Sequence, residues 1–489
     1  MRWLVVLALL GALLPAQRVQ GRPPAAATAP AASRPAAAPR WDFVVRFPDL
    51  QGVAEVAWTL HGFAPGRLRV CADMDGAGEY VRDLVQLAGE GGPAQPLPRD
   101  GACWLATVDG APTRLRYRYD LRSLARDQGS VDYAEQLGDS YVFNDETLLL
   151  RPDPLPRSRP PAAITVEFQL PAGVSLTAPY ARLAEPGLRF RLDAEQYDGG
   201  NYITVGQVAS LGLIRLPHTT VDLNVLKWPR RASDAALRGW IETAVGAVDR
   251  FYGTLLHERV HVLLVPVPGS RKPALFGSVM RRGLASVVLY IGAGCERFDF
   301  SEEWVAVHEL FHLGNPLTDG KMSWFVEGFT TYYQDVLRGR LGALTPAATW
   351  GDLWDGVRRF CQPRDGVSLA EESASLRRTH RYTRVYWGGA CVALLTDIAI
   401  REHSRGQVTL DDVLRALRQQ SLRAPVEEDE VIAALDRAAG RPLVKALLAE
   451  RRAIAVREAL ARLGVIPTGD ETVELRDDAP LAGLRRAMF

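Results

Sequence analysis

The run Val307-His308-Glu309-Leu310-Phe311-His312 constrains this chain more than any other stretch. His308 and His312 are four apart, so on a helix both imidazoles lie on one face, one turn apart, and can close on a single ion. Asp299 or Ser301 upstream can cap that helix, and Gly314-Asn315-Pro316 ends it. Fourteen residues separate His312 from Glu327, which lies inside a second helical run from Trp324 to Tyr333. If the two helices lie side by side, two neutral imidazoles and one carboxylate converge with a coordination position left open, which is the donor set of a working zinc site and not of a closed structural one. Glu309 is turned one residue around the helix from His308, so its carboxylate reaches a water beside the ion instead of the ion itself. That is the place of a general base.

The rest of the chain frames this motif. Its 489 residues suffice for two or three domains. The 58 basic and 57 acidic residues nearly cancel, which argues against nucleic acid or an anionic membrane surface as a partner. Lys occurs only at Lys227, Lys272, Lys321 and Lys445, with Arg carrying the other positive charges, the bias of a GC-rich bacterial genome. Residues 1–21 read as a signal peptide: one charge at Arg2, an apolar core over 3–14 too short to span a bilayer, then Pro15-Ala16. The expected location is therefore exported, periplasmic or extracellular, with no membrane span in the mature chain. Residues 22–40 are an Ala/Pro-rich linker.

Over 41–218, short alternating runs such as Leu115-Arg116-Tyr117-Arg118-Tyr119 and Ile164-Thr165-Val166-Glu167-Phe168 predict antiparallel strands, hence an N-terminal sandwich-like β domain. From Ser233 the period changes, with Leu237, Ile241, Ala244, Val248 and Phe251 on one helical face and Ser233 as N-cap. Two strands at 260–267 and 286–291 and then helices to about Leu463 make 219–465 a second domain, which holds the site. Residues 466–489 form a polar tail. The fold class is multidomain α+β. Five cysteines in an exported chain allow bridges; the pairings considered are Cys71–Cys103 and Cys295–Cys361, with Cys391 as a small hydrophobe buried in a helix. His257 and His261, also four apart, straddle a helix-to-strand junction and read as surface or core residues, while His380 lies near enough to Tyr386 to line a cleft.

The motif segments resemble a known family. Residues 308–333, together with Arg381-Tyr382-Thr383-Arg384-Val385-Tyr386-Trp387-Gly388-Gly389-Ala390, are similar to the gluzincin aminopeptidases, specifically the glycyl aminopeptidase family. Glu327-Gly328-Phe329-Thr330-Thr331-Tyr332-Tyr333 is close to that family's E-G-F-T-S-Y-Y segment. Tyr386 matches a Tyr-x-x-Gly segment whose phenol stabilises the oxyanion in those enzymes and in the related alanyl aminopeptidases; Tyr382, one turn earlier, is its competitor. Weaker similarity reaches 404–440 and Tyr197-Asp198-Gly199-Gly200-Asn201-Tyr202. The resemblance implies a thermolysin-like catalytic domain, Zn2+ held by His308, His312 and Glu327, Glu309 as base and acid, Tyr386 as oxyanion donor, peptide substrates and aminopeptidase activity.

The chain departs from that pattern in three ways. The segment between His312 and Glu327 is shorter than in either aminopeptidase group, and no closing PDZ-like domain follows. The Gly-x-Met-Glu-Asn segment that holds a substrate amine in alanyl aminopeptidases is replaced by Phe276-Gly277-Ser278-Val279-Met280-Arg281-Arg282-Gly283, where Arg281 and Arg282 suit a substrate carboxylate better. The lost anchor keeps an endopeptidase or oligopeptidase open. A non-peptide hydrolase on the same site, and a catalytically silent scaffold working through its β domain, are further readings, although a scaffold has no need of Glu309. Strand 286–291 is expected at a sheet edge, where a peptide can add as a further strand. The sequence says nothing of oligomeric state.

Overall fold

The computed structural model describes residues 39–89, 92–154, 163–183, 187–319, 322–363, 366–452 and 454–489. The expected signal segment and, apart from Pro39 and Arg40, the linker lie outside them.

In the first domain the alternation does what it should. Along Val53–His61, Ala54, Val56, Trp58 and Leu60 are buried while their neighbours are not, and Thr113–Asp120 repeats the pattern. Eight strands join in one sheet, and two four-stranded sheets complete the domain. The sheet is not wholly antiparallel, which corrects the expectation: Arg40–Arg46 pairs antiparallel with Val53–His61 but parallel with Ala163–Gln169. A parallel partner requires a crossover, so it comes from the far end of the domain, beyond the reach of local pattern. Trp41, Trp58 and Tyr197 meet edge to face in the core.

The second domain is built on five strands: β1 (Val208–Arg215), β2 (Thr220–Leu226), β3 (Arg259–Val267), β4 (Ala274–Met280) and β5 (Ala285–Gly292), ordered β1-β2-β3-β5-β4. β1 lies upstream of the change of period at His218 yet belongs to this sheet. β2, β3 and β5 are parallel, and β3 and β5 are mostly apolar, as strands covered on both faces are. β4 pairs antiparallel with β5 and ends the sheet. The strand expected at the edge, β5, is therefore interior, and the edge on that side is β4. Ala-Leu-Phe-Gly-Ser-Val-Met carries a glycine and no clean alternation, which hid β4 in the sequence.

Helix α1 (Asp234–Tyr252) packs beside this sheet, with Ser233 Oγ accepting from Ala236 N as N-cap. Four helices then shape the site: α2 (Val305–His312), α3 (Ser323–Arg340), α4 (Pro346–Phe360) and α5 (Tyr382–His403). The last residues fold back onto them, with Met488 buried and the Phe489 ring 5.2 Å from that of Trp350. Among the described residues no helix is long and apolar enough to cross a membrane.

Cys71 and Cys103 are bonded, but Cys361 joins Cys391 and not Cys295, which stays a buried thiol. The reason is packing. Cys361 closes the C-terminus of α4, and α4 crosses α5 so that Cys391 comes to meet it.

Candidate metal centre and active site

Every residue of α2 is buried, so its two histidines are held by packing on all sides. Contrary to the expectation from sequence, neither Asp299 nor Ser301 caps the helix; Asp299 Oδ1 accepts from Ser301 N upstream. Glu303 does the capping, with Oε1 accepting from Ala306 N at 2.9 Å and Oε2 from the Trp240 indole at 2.9 Å. At the other end Gly314 is required, because a Cβ there would lie 2.1 Å from the Tyr252 ring. Tyr252 donates to Asn315 Oδ1, and Arg281 donates to Asn315 O at 2.7 Å and to Pro316 O, so the turn out of α2 is held from two sides.

Helix α3 brings Glu327 alongside. Its Oε2 lies 3.5 Å from His308 Nε2 and 3.4 Å from His312 Nε2. Donors bonded tetrahedrally to one zinc at about 2.0–2.1 Å stand about 3.3–3.4 Å apart. The three residues thus fit that ion in both chemistry and spacing, and they form a possible ligand group among the described residues. Each imidazole is also oriented from behind. His308 Nδ1 donates to Gln334 Oε1 at 2.9 Å, which leaves Nε2 with its lone pair toward the ion. His312 Nδ1 faces Asn315 Nδ2 at 3.3 Å and, at 3.5 Å, Thr330 Oγ1, whose own proton goes to Val326 O. The Glu327 carboxylate is held well below its ordinary value: burial works the other way, but the two imidazoles overcome it.

Two glycines bring Tyr386 to the same corner. A Cβ on Gly328 would sit 2.3 Å from Gly389 Cα, and one on Gly389 would sit 2.0 Å from Trp324 O, so α3 and α5 touch backbone to backbone at this crossing. Glu327 precedes the first glycine, and Tyr386 lies one turn before the second. The Tyr386 ring consequently stacks on that of His308, with centroids 6.2 Å apart. Burial, and then the Glu327 and Glu309 carboxylates, push its hydroxyl pKa far up, which keeps the proton on the phenol as a donor. Tyr382 lies one turn away beside His380, and its hydroxyl is 3.4 Å from that ring.

Glu309 faces the edge strand, where the Gly277 Cα leaves room for it; a Cβ at 277 would be 2.3 Å from Glu309 Cγ. Burial above all, with Glu327 and Glu303 adding to it against His308, lifts the Glu309 pKa to about 7. These groups line a cavity of about 1330 Å³ that runs along β4 and on between α3, α4 and α5.

Other expectations fare differently. His257 and His261 stand apart from the site; burial lowers both pKa values to about 4 and keeps the rings neutral. His380 is not in the cavity wall, whereas Arg282 is exposed along it. Arg281 also lines the cavity, but its guanidinium already serves the turn at Asn315. Sequence reasoning missed Glu303 and Gln334. Gln334 carries a readable signal, since it follows Glu327 by seven, the same helix face two turns on, in a run that is otherwise mostly apolar.

No protein-family model and no curated protein matches the sequence. Solved structures do match. An aminopeptidase N family protein from Idiomarina loihiensis superposes with a TM-score of 0.72 at 16% identity, over 88% of this chain and 80% of that one. The M1 zinc metallopeptidase of Deinococcus radiodurans gives 0.53 at 16% identity, over 85% and 94%. The chain has the M1 metallopeptidase fold. Yeast LTA4 hydrolase shares it as well, with a TM-score of 0.52 at 12% identity over 86% of this chain and 68% of its own. At these identities it is the fold that is common, and the residues above carry the chemistry on their own geometry.

Proposed function

We propose that the chain is an exported zinc aminopeptidase, related within the gluzincins to the glycyl aminopeptidases. The observation that carries this reading is the convergence of His308, His312 and Glu327 at zinc spacing, with Glu309 and Tyr386 at the same corner of one cavity. A zinc ion bound there supplies Lewis acidity to a peptide carbonyl and to a water. Glu309 takes the proton of the attacking water and delivers it to the leaving amine. The Tyr386 hydroxyl donates to the oxygen on which negative charge develops. Edge strand β4 lies beside Glu309 and offers its backbone to an extended peptide. The Deinococcus enzyme, in a mutant form, has been solved with a Tyr-Ser-Ala substrate, which fits a peptide in this cleft.

An aminopeptidase also needs a carboxylate for the free amine, and β4 ends at Met280 with Arg281 after it. The N-terminal domain offers one. Glu146 lines the cavity, its Oε1 is buried without a partner, and it flanks Gly200 together with Met280: a Cβ at 200 would lie 3.0 Å from Glu146 Oε2 and 3.2 Å from Met280 Sδ. Burial, and then Asp145, raise its pKa to about 8, so an arriving ammonium is what would bring out its charge. The endopeptidase or oligopeptidase reading draws on a different feature, the continuation of the cavity past the metal corner to Asp335 and Asp352. Two disulfides and the signal-like N-terminus support export.

The test joins metal analysis of the purified chain to mass spectrometry of a peptide library, half of it N-acetylated, with Glu309→Gln as control. One zinc per chain and release of N-terminal residues from free peptides only are expected. Internal cuts would make it an endopeptidase, and cleavage that survives Glu309→Gln with zinc bound would refute the mechanism.

A further inference from the structure

We propose that Tyr202, a residue of the N-terminal domain, positions the edge strand β4 and so sets peptide affinity separately from the chemistry at Glu309. The inference rests on the peptidase reading for its substrate.

β4 is held in its sheet on one side only, by β5. What fixes its other contacts is the alternation of its side chains. Gly277 faces Glu309, while Phe276, Ser278 and Met280 face the N-terminal domain, and Phe276 and Met280 pack on an apolar cluster that includes Val142 and Tyr202. At the centre of that contact is a polar bond. The Tyr202 hydroxyl accepts from Ser278 Oγ at 2.6 Å and donates to Asp132 Oδ1 at 3.4 Å. Tyr202 is 2% exposed and Ser278 5%, so both hydroxyls are largely withdrawn from water at the inner wall of the cavity, where a lost partner is costly. Tyr202 is itself anchored twice: its backbone N donates to Ser286 Oγ of β5, and its neighbour Asn201 is bonded to Asp145 through both its backbone N (2.9 Å) and its side chain (2.8 Å).

The bond thus fixes the backbone of β4 immediately next to Gly277, without touching the metal ligands, Glu309 or Tyr386. Backbone pairing with a peptide is the same in the ground state and the transition state, so a shift of β4 weakens binding and leaves turnover alone. A merely structural role would lower stability with no such split.

The experiment uses the zinc-loaded full chain with a free hexapeptide. Tyr202→Phe and Ser278→Ala are each expected to raise KM about tenfold, as loss of one buried hydrogen bond implies, with kcat within about twofold. The double variant should be no worse than Tyr202→Phe alone, since both changes remove the same Tyr202–Ser278 bond. The same loss should appear as a weaker Kd for the hexapeptide, by calorimetry, when each change is made in the Glu309→Gln background. The proposal is overturned if KM and Kd stay put, if kcat falls instead, or if the two effects add. Should Tyr202→Phe fail to fold, Ser278→Ala deletes the same bond from a smaller side chain and decides alone. Failure of the peptidase reading is distinct, because it would show in the wild-type chain as no cleavage of any peptide.

Discussion

At the metal corner all the donors come from two helices that follow one another in the chain, α2 and α3. At the far end of β4 the groups that meet are Glu146, Gly200 and Met280, drawn from three separate segments and two domains. The first arrangement is local and braced from behind by Gln334, Thr330 and Glu303, none of which leaves the second domain. The second exists only where the N-terminal domain presses on β4. The difference teaches that metal binding and turnover should survive changes at the domain junction, and that selectivity should not.

The comparison can be broken most severely at Tyr386. Tyr386→Phe should lower kcat about 10²–10³-fold, the cost of one oxyanion donor, with one zinc still bound by metal analysis; unchanged kcat would hand the role to Tyr382. Next is Gly277, where the two regions touch. Gly277→Ala puts a Cβ 2.3 Å from Glu309 Cγ and 2.8 Å from Leu289 Cδ2, and displacing the base should cost about 10²-fold in kcat/KM. Full activity there would mean that Glu309 does not work from this position. Gln334→Ala sharpens the local side of the contrast. Zinc affinity, measured by competition with a chelator, should weaken about 10–100-fold while the ratio of free to acetylated peptides cleaved stays as it was. The smallest effect belongs to the junction: Glu146→Gln should reduce the preference for free over N-acetylated peptides about tenfold, the scale of one charge-assisted hydrogen bond, with no change in zinc content. A loss of zinc in that variant would show the two regions to be coupled after all.

Much of the metal corner was legible in the chain because a helix converts spacing directly into geometry. His308 and His312 share a face and Glu309 does not; the close crossing at Gly328 and Gly389 of the helices that carry Glu327 and Tyr386 came only with the structure. The N-cap at Ser233 is equally local and stands as read. Where the reading failed, the missing information was long-range. β4 took the edge place expected of β5 because strand order depends on crossovers. Cys391 found Cys361 because α4 and α5 pack together, and Arg281 turned to the carbonyls at Asn315 and Pro316.

By itself, then, the sequence determined how His308, Glu309, His312 and Glu327 sit on their helices, and the alternation of the first domain, all properties that act over a few residues. Tertiary structure alone decided which strand borders the cleft, which cysteines join, and that Glu146 and Tyr202 of one domain reach β4 of the other. The physical reason is that periodicity and capping are set by neighbours along the chain, whereas contacts between sheets are set by how whole faces bury one another, and no local pattern states which face meets which.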